Sequence, residues 1–206
     1  MDRSAVLVSQ GWIHPSFFAR QALRQAFEEA GVAWLDIPGL ERLPEVSLEE
    51  QRAVVLYFHH KSISPAALAT LDGYVRRGGG LLAIHSAAAS FKTEPAYTAI
   101  LGGRFRSHGR VGDFQVEPAQ PNDPLFEEFE PFTIHDERYR HEVDESIRVH
   151  FVSRAGDQAE PFVWTRRHGE GRVCYCAAGH TAASLRHPAI RRILLAGLAW
   201  CSGGAG

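Results

Sequence analysis

The sequence predicts an α/β protein: a doubly wound, mostly parallel sheet carrying an antiparallel hairpin excursion. Three observations lead there. Short runs such as AVLVS, AVVLYF and LLAI are almost wholly apolar, as strands covered on both faces must be. These runs alternate with segments of helical periodicity, which is the pattern of βαβ units. The stretch 78–90, GGGLLAIHSAAAS, runs a buried strand into one histidine and then into small residues. In open α/β sheets ligands bind beyond the carboxyl ends of the strands, so that histidine stands where sites are built.

The elements follow in order. Residues 5–9 (AVLVS) read as the first strand, and 17–30 (FFARQALRQAFEEA) as a helix with Gly31 at its C-terminal end. Residues 32–37 (VAWLDI) form a second strand, followed by a Pro- and Glu-rich loop to Glu50. Residues 53–58 (AVVLYF) are the third strand. Ser64 and Pro65 then open a helix as N-cap and first-turn proline, running to about Arg77. Residues 81–84 are the fourth strand. Beyond it, 97–101 is a helical turn ended by Gly102-Gly103, and 114–117 and 147–154 read as strands separated by proline-rich loop. Residues 161–167 and 172–177 flank His168-Gly169-Glu170-Gly171, a hairpin signal. Residues 187–200 are a final amphipathic helix. No repeat or low-complexity linker divides the chain, so residues 1–206 are expected to form one domain, with 201–206 (CSGGAG) a frayed tail.

The totals exclude several classes. The chain has 206 residues, 45% of them hydrophobic and 22% charged, the balance of an ordinary globular domain. A net charge of -2 with no dense Lys/Arg block leaves no electrostatic footprint for nucleic acid. No apolar run approaches the ~20 residues that span a bilayer. The N-terminal MDRSAVLVSQ enters a strand directly and does not read as a signal peptide. Cys174, Cys176 and Cys201 fit no metal-binding spacing, and Cys174 and Cys176 share one strand face. Free buried thiols point to a reducing compartment, hence the cytoplasm.

The eleven histidines are the unusual figure, and their placement carries the functional reading. His14 follows the first strand in QGWIHPS, and His59 and His60 end the third. His85 ends the fourth, His108 follows LGGRFRS, and His180 ends RVCYCAAGH. Several therefore fall at one sheet edge, where loops on a rigid scaffold hold functional groups. An acidic partner comes from His135-Asp136-Glu137-Arg138-Tyr139, read as a loop anchored by Phe132 and Tyr139. His141, His150, His168 and His187 lack such a setting and read as surface or structural residues. Imidazoles with one carboxylate suit zinc and related divalent metals. HExxH and similar close-spaced motifs are absent, so a metal site would have to be assembled from distant segments. The same groups would serve as general acid and base around a polyhydroxylated substrate. Ser86 lies outside any G-x-S-x-G motif, and its hydroxyl is expected to cap the turn after the strand.

The ordered set GGGLLAIHSA, LGGRF followed by His108, HDERY, GEGRVCYCAAGH and a terminal helix ending AW resembles the ThuA-like (trehalose-utilization) family. That family lies within the class I glutamine amidotransferase-like superfamily, and the resemblance spans the chain from the His14 segment to Trp200. It implies a flavodoxin-like, three-layer α/β/α sandwich and a link to carbohydrate metabolism. By position, His85 stands where the amidotransferases keep their catalytic cysteine, and His180 near their catalytic histidine. A glutaminase needs a thiolate for its acyl intermediate, and imidazole does not replace it. Glutamine hydrolysis by the superfamily route is therefore not expected. The His59-His60 pair is not part of the resemblance, and the short loops leave little room for a polymeric substrate.

The resulting expectation is an enzyme acting on a sugar or keto-sugar derivative as isomerase, lyase or hydrolase. His85, His180 and Glu137 are its catalytic candidates, and His14, His60 and Tyr139 its substrate-binding candidates. His85, His108 and His180 are the candidate ligands of a divalent metal such as zinc. The expected partner is a small-molecule carbohydrate, and a homodimer is compatible with such a fold. The competing readings are a non-catalytic sugar-binding or regulatory module, and an oligomer whose histidines satisfy loop backbone.

Overall fold

The computed structural model describes residues 4–10, 15–121 and 123–203. In its first half, strands β1 (Ser4–Val8), β2 (Ala33–Ile37), β3 (Ala53–Leu56) and β4 (Gly80–Ile84) alternate with helices α1 (Phe17–Glu29) and α2 (Pro65–Arg76). Both helices start where the sequence provides a cap. Ser16 Oγ accepts the Ala19 N–H at 3.2 Å, and Ser64 Oγ accepts the Ala67 N–H at 3.2 Å with Pro65 behind it. His85–Ala89 form a short 3-10 turn, followed by α3 (Pro95–Leu101).

The second half is richer in strands than its prolines suggest. It holds β5 (Gly103–His108), β6 (Gly112–Pro118), β7 (Phe132–Asp136), β8 (Tyr139–Val143), β9 (Arg148–Ala155), β10 (Gln158–His168) and β11 (Gly171–Cys176). The chain closes with α4 (Ala182–Arg186) and α5 (Pro188–Cys201). No helix among the described residues is long and apolar enough to cross a membrane.

Among the described residues one sheet runs in the order β2-β1-β3-β4-β11-β10-β9-β6-β7, and β5 pairs with β8 in a separate ribbon. The five strands from β2 to β11 are parallel and take the 2-1-3-4-5 order of flavodoxin-like sheets, with β11 in fifth place. The remaining four strands are antiparallel. The excursion is thus present, and it is larger than the single hairpin marked by His168–Gly171.

Helices cover both faces. Gly197 of α5 lies against Cys174, while Trp164, its ring tilted over Tyr175 at 4.1 Å, donates its indole N–H to Leu101 O of α3. Adjacent residues of a strand point to opposite faces, so α5 and α3 lie on opposite sides of β11. Helices α1, α4 and α5 share one layer and α2 and α3 the other.

Three expectations need correction. HDERY is not a loop: it is the end of β7, a tight turn, and the start of β8. The short polar-apolar alternation of RFRSH, overlooked as a strand, is paired as β5 with β8. The tail does not begin at 201, because Cys201 is 2% exposed and donates its thiol to Leu81 O, anchoring the last turn of α5.

The histidines read as structural are tied into the fold, mostly beneath its surface. His150 bridges Asp123 Oδ2 at 2.6 Å and Thr165 Oγ1 at 2.7 Å in a buried row. His168 joins Asp72 of α2 at 2.6 Å, and His187 stacks on Phe132 at 5.0 Å. His141 packs edge-on to Trp164 and meets the Tyr175 hydroxyl at 3.1 Å.

Candidate active site

Parallel register sets the site. Cys176 pairs with Ile84, so the next residues on the two strands, Ala177 and His85, emerge side by side at the carboxyl edge. His85 takes a left-handed backbone (φ 48°) as the chain leaves β4, a conformation costly for a residue with a Cβ. Two bonds hold it there. The Tyr175 hydroxyl donates to His85 O at 3.0 Å, and His85 Nδ1–H donates to Ala177 O at 2.8 Å. A carbonyl oxygen only accepts, so Nδ1 carries a proton there and Nε2 is the nitrogen turned toward the site.

Glu137 enters from the turn between β7 and β8. Its Oε2 lies 3.4 Å from His85 Nε2 and 3.2 Å from His180 Nδ1. Its other oxygen is 3.6 Å from His108 Nδ1, which also donates to Gly109 O at 2.7 Å. Tyr139, two residues on, stacks on His85 at 4.3 Å and on His108 at 5.9 Å, forming one wall.

Asp136 organises the group from below. It is fully buried; Oδ1 accepts the N–H of Glu137 at 2.7 Å and of His180 at 3.1 Å, and Oδ2 accepts Gly179 N–H at 2.9 Å. One carboxylate thereby fixes the backbone of both Glu137 and His180. Gly179 (φ 138°) permits the approach, since a Cβ there would lie 3.1 Å from His85 Cβ.

Electrostatics follow the geometry. Burial alone would raise the Glu137 carboxyl. The approach of His85 and the charges of His180, His85 and His108 outweigh that and hold it at about 2. Burial, Glu137 and Asp136 push the Tyr139 hydroxyl up, so it stays a phenol across the physiological range. A depressed carboxyl stabilises the fold above its unfolded value of 4.5 and loses that contribution as the pH falls through about 2. The urea-unfolding gap between the wild type and Glu137→Gln is therefore expected to narrow across that window. A gap independent of pH there would contradict the assignment.

The structure thus brings together five of the seven residues singled out from the sequence: His85, His108, Glu137, Tyr139 and His180. His14 lies outside the described residues. His60 reaches the same sheet edge but packs its ring against Phe58 at 4.9 Å and Phe91 at 6.5 Å, and burial lowers its pKa. Ser86 does not cap its turn: it is buried, and its Oγ makes no hydrogen bond among the described residues. Ser90 instead donates to Ser86 O at 3.0 Å. Asp136 is the residue of the candidate site that the sequence reading passed over. Its only signal was adjacency to Glu137, because the three N–H groups it binds come from Glu137 itself and from a segment more than forty residues away.

Comparison with known proteins agrees with this architecture. A ThuA-like protein from Parabacteroides merdae ATCC 43184 superposes with a TM-score of 0.84 at 18% identity, covering 98% of this chain and 90% of that one. A second, from Bacteroides uniformis ATCC 8492, gives 0.81 at 17% identity, covering 97% and 91%. A β-galactosidase from Bacillus circulans sp. alkalophilus gives 0.66 at 12% identity, over 98% of this chain but only 31% of that enzyme. At these identities the likeness is one of fold. No curated protein matches the chain in sequence. The model of the ThuA family, described as trehalose utilisation, matches residues 4–201, and the chain belongs to that family.

Proposed function

We propose that the protein is an enzyme acting on a sugar or keto-sugar derivative, with His85, His180 and Glu137 as its reactive centre. The observation that carries this reading is the convergence of two imidazoles on one buried carboxylate at the carboxyl edge of the parallel sheet. The family's description, trehalose utilisation, supports a sugar as the substrate class.

Chemically, such a centre moves protons. With Nδ1–H pinned to Ala177 O, Nε2 is the atom by which His85 takes or gives a proton. His180 Nδ1 faces the same carboxylate oxygen, so one imidazole can accept a proton from a carbon or hydroxyl beside a carbonyl while the other donates to the oxygen. Glu137, held as an anion, stabilises whichever imidazolium forms. Tyr139 supplies an aromatic wall. This chemistry covers isomerisation, elimination and hydrolysis of a keto-sugar. It differs from glutamine hydrolysis: all three thiols are buried, and burial pushes Cys176 and Cys201 up to about 12. Three buried free thiols also support a reducing compartment, the cytoplasm.

The test is turnover of trehalose, related disaccharides and their keto derivatives, followed by mass spectrometry. His85→Ala and Glu137→Gln are expected to slow product formation about 10²–10⁴-fold. Product formed equally by wild type and both variants would overturn the reading. Saturable sugar binding without any product would favour the binding-module alternative.

A further inference from the structure

We infer that His85 Nε2, His180 Nδ1 and Glu137 Oε2 are the three protein ligands of a mononuclear site for a divalent cation of the zinc type, with His108 outside the ligand set. The inference uses the proposed reactive centre, yet it stands apart from that reading, because proton transfer by the same side chains needs no metal.

Geometry is the first argument. The three atoms lie within 4.8 Å of one another, and two edges of the triangle measure 3.4 and 3.2 Å. Bonds of about 2.0–2.2 Å in a tetrahedron place ligand atoms roughly 3.3–3.6 Å apart, so small rotations of His85 and His180 complete the set. Two imidazoles and one carboxylate also form a ligand set of open catalytic zinc sites, which leave a fourth position for water or substrate oxygen.

The supports around the ligands are the second argument. Metal-binding histidines usually donate their other ring N–H to a carbonyl or carboxylate, which fixes tautomer and direction. His85 does this through Ala177 O. The other two ligands are fixed through their backbone, both on Asp136.

Charge is the third. Asp136 and Glu137 are adjacent carboxylates, 0% and 6% exposed. Arg138, beside them, turns away to the carbonyls of Ser153 and Gln158. Among the described residues, the ion pairs of Glu137 are all with histidines. The Glu137 carboxylate facing two imidazole nitrogens, with the Asp136 carboxylate buried beneath it, favours a cation at their centre.

His108 fails the same tests. The nitrogen nearest Glu137 is Nδ1, and that nitrogen already donates its hydrogen to Gly109 O. Its lone pair sits on Nε2, on the other side of the ring, and the residue is half-exposed. His108 therefore offers Glu137 Oε1 a nitrogen with no lone pair free to ligate.

The experiment titrates the chelator-treated full chain with Co²⁺ followed by visible absorption, with Zn²⁺ competition and calorimetry. The wild type is expected to bind one equivalent without a thiolate charge-transfer band. Glu137→Gln and His180→Ala are expected to weaken binding by at least about 100-fold, while His108→Ala keeps the wild-type affinity and spectrum. Glu137→Gln preserves side-chain shape and His180 is partly exposed, so near-ultraviolet dichroism identifies a variant that has failed to fold. Absence of stoichiometric binding by the wild type would overturn the inference, as would loss of metal from His108→Ala. Sugar turnover by a protein that binds no stoichiometric metal would leave proton transfer standing while the metal site falls. Metal binding with no turnover of any sugar would do the reverse.

Discussion

Replacing Asp136 by Ala is expected to destabilise the fold by about 3–5 kcal/mol, which for a chain of this size lowers the thermal midpoint by roughly 10–15 °C. Three N–H groups, of Glu137, Gly179 and His180, lose their acceptor, the first two in buried places and the third partly buried. Each buried donor left without a partner costs about 1–3 kcal/mol, and water entering the vacated space recovers part of that. Asp136→Asn should fall between, because its single oxygen serves one side while its amide hydrogens meet N–H donors on the other. Urea or thermal unfolding of the three proteins decides the matter. Equal stability of wild type and Asp136→Ala would show that the carboxylate is not holding the turn. The site consequence is separate: Asp136→Asn should loosen Glu137 from His180 even where the fold survives.

Gly171→Ala should cost at least about 3 kcal/mol, although it lies at the opposite edge of the sheet. A Cβ on Gly171 would stand 2.0 Å from Val75 O and 2.6 Å from Gly79 O. Both obstacles are backbone, so no rotamer change relieves them. The end of α2 must separate from the start of β11, and Gly80, paired beside Arg172, would be drawn along. The measurement is again equilibrium unfolding, with Gly156→Ala as the comparison. A Cβ there meets nothing within 4 Å, so its cost comes only from its positive φ of 58°. If Gly171→Ala were no worse than Gly156→Ala, the close approach of strand and helix would be disproved.

The parallel half of the molecule was legible because its signals are local. AVVLYF and LLAI are apolar on both faces, and Ser64-Pro65 and Gly31 punctuate the helices between them. The antiparallel half was harder. The sequence HDERYRHEV holds charged residues at most positions, and only pairing of β7 with β6 and of β8 with β5 makes strands of it. Edge and ribbon strands lack the continuous apolar run that marks a central one, so composition conceals them.

What the sequence by itself determined was which polar groups stand at the carboxyl edge. A strand that ends in His85 must deliver it there, and RVCYCAAGH must deliver His180 to a strand end as well. The tertiary structure decided which of those groups meet. His60 sits at the same edge yet packs against Phe58 and Phe91, whereas Glu137 arrives from the turn between β7 and β8, two strands that the sequence read as loop. Direction was likewise invisible: only the bond from His85 Nδ1 to Ala177 O shows which nitrogen faces the site. Asp136 shows the limit most clearly. Backbone N–H groups belong to every residue but proline, so no sequence pattern announces the carboxylate that will collect three of them.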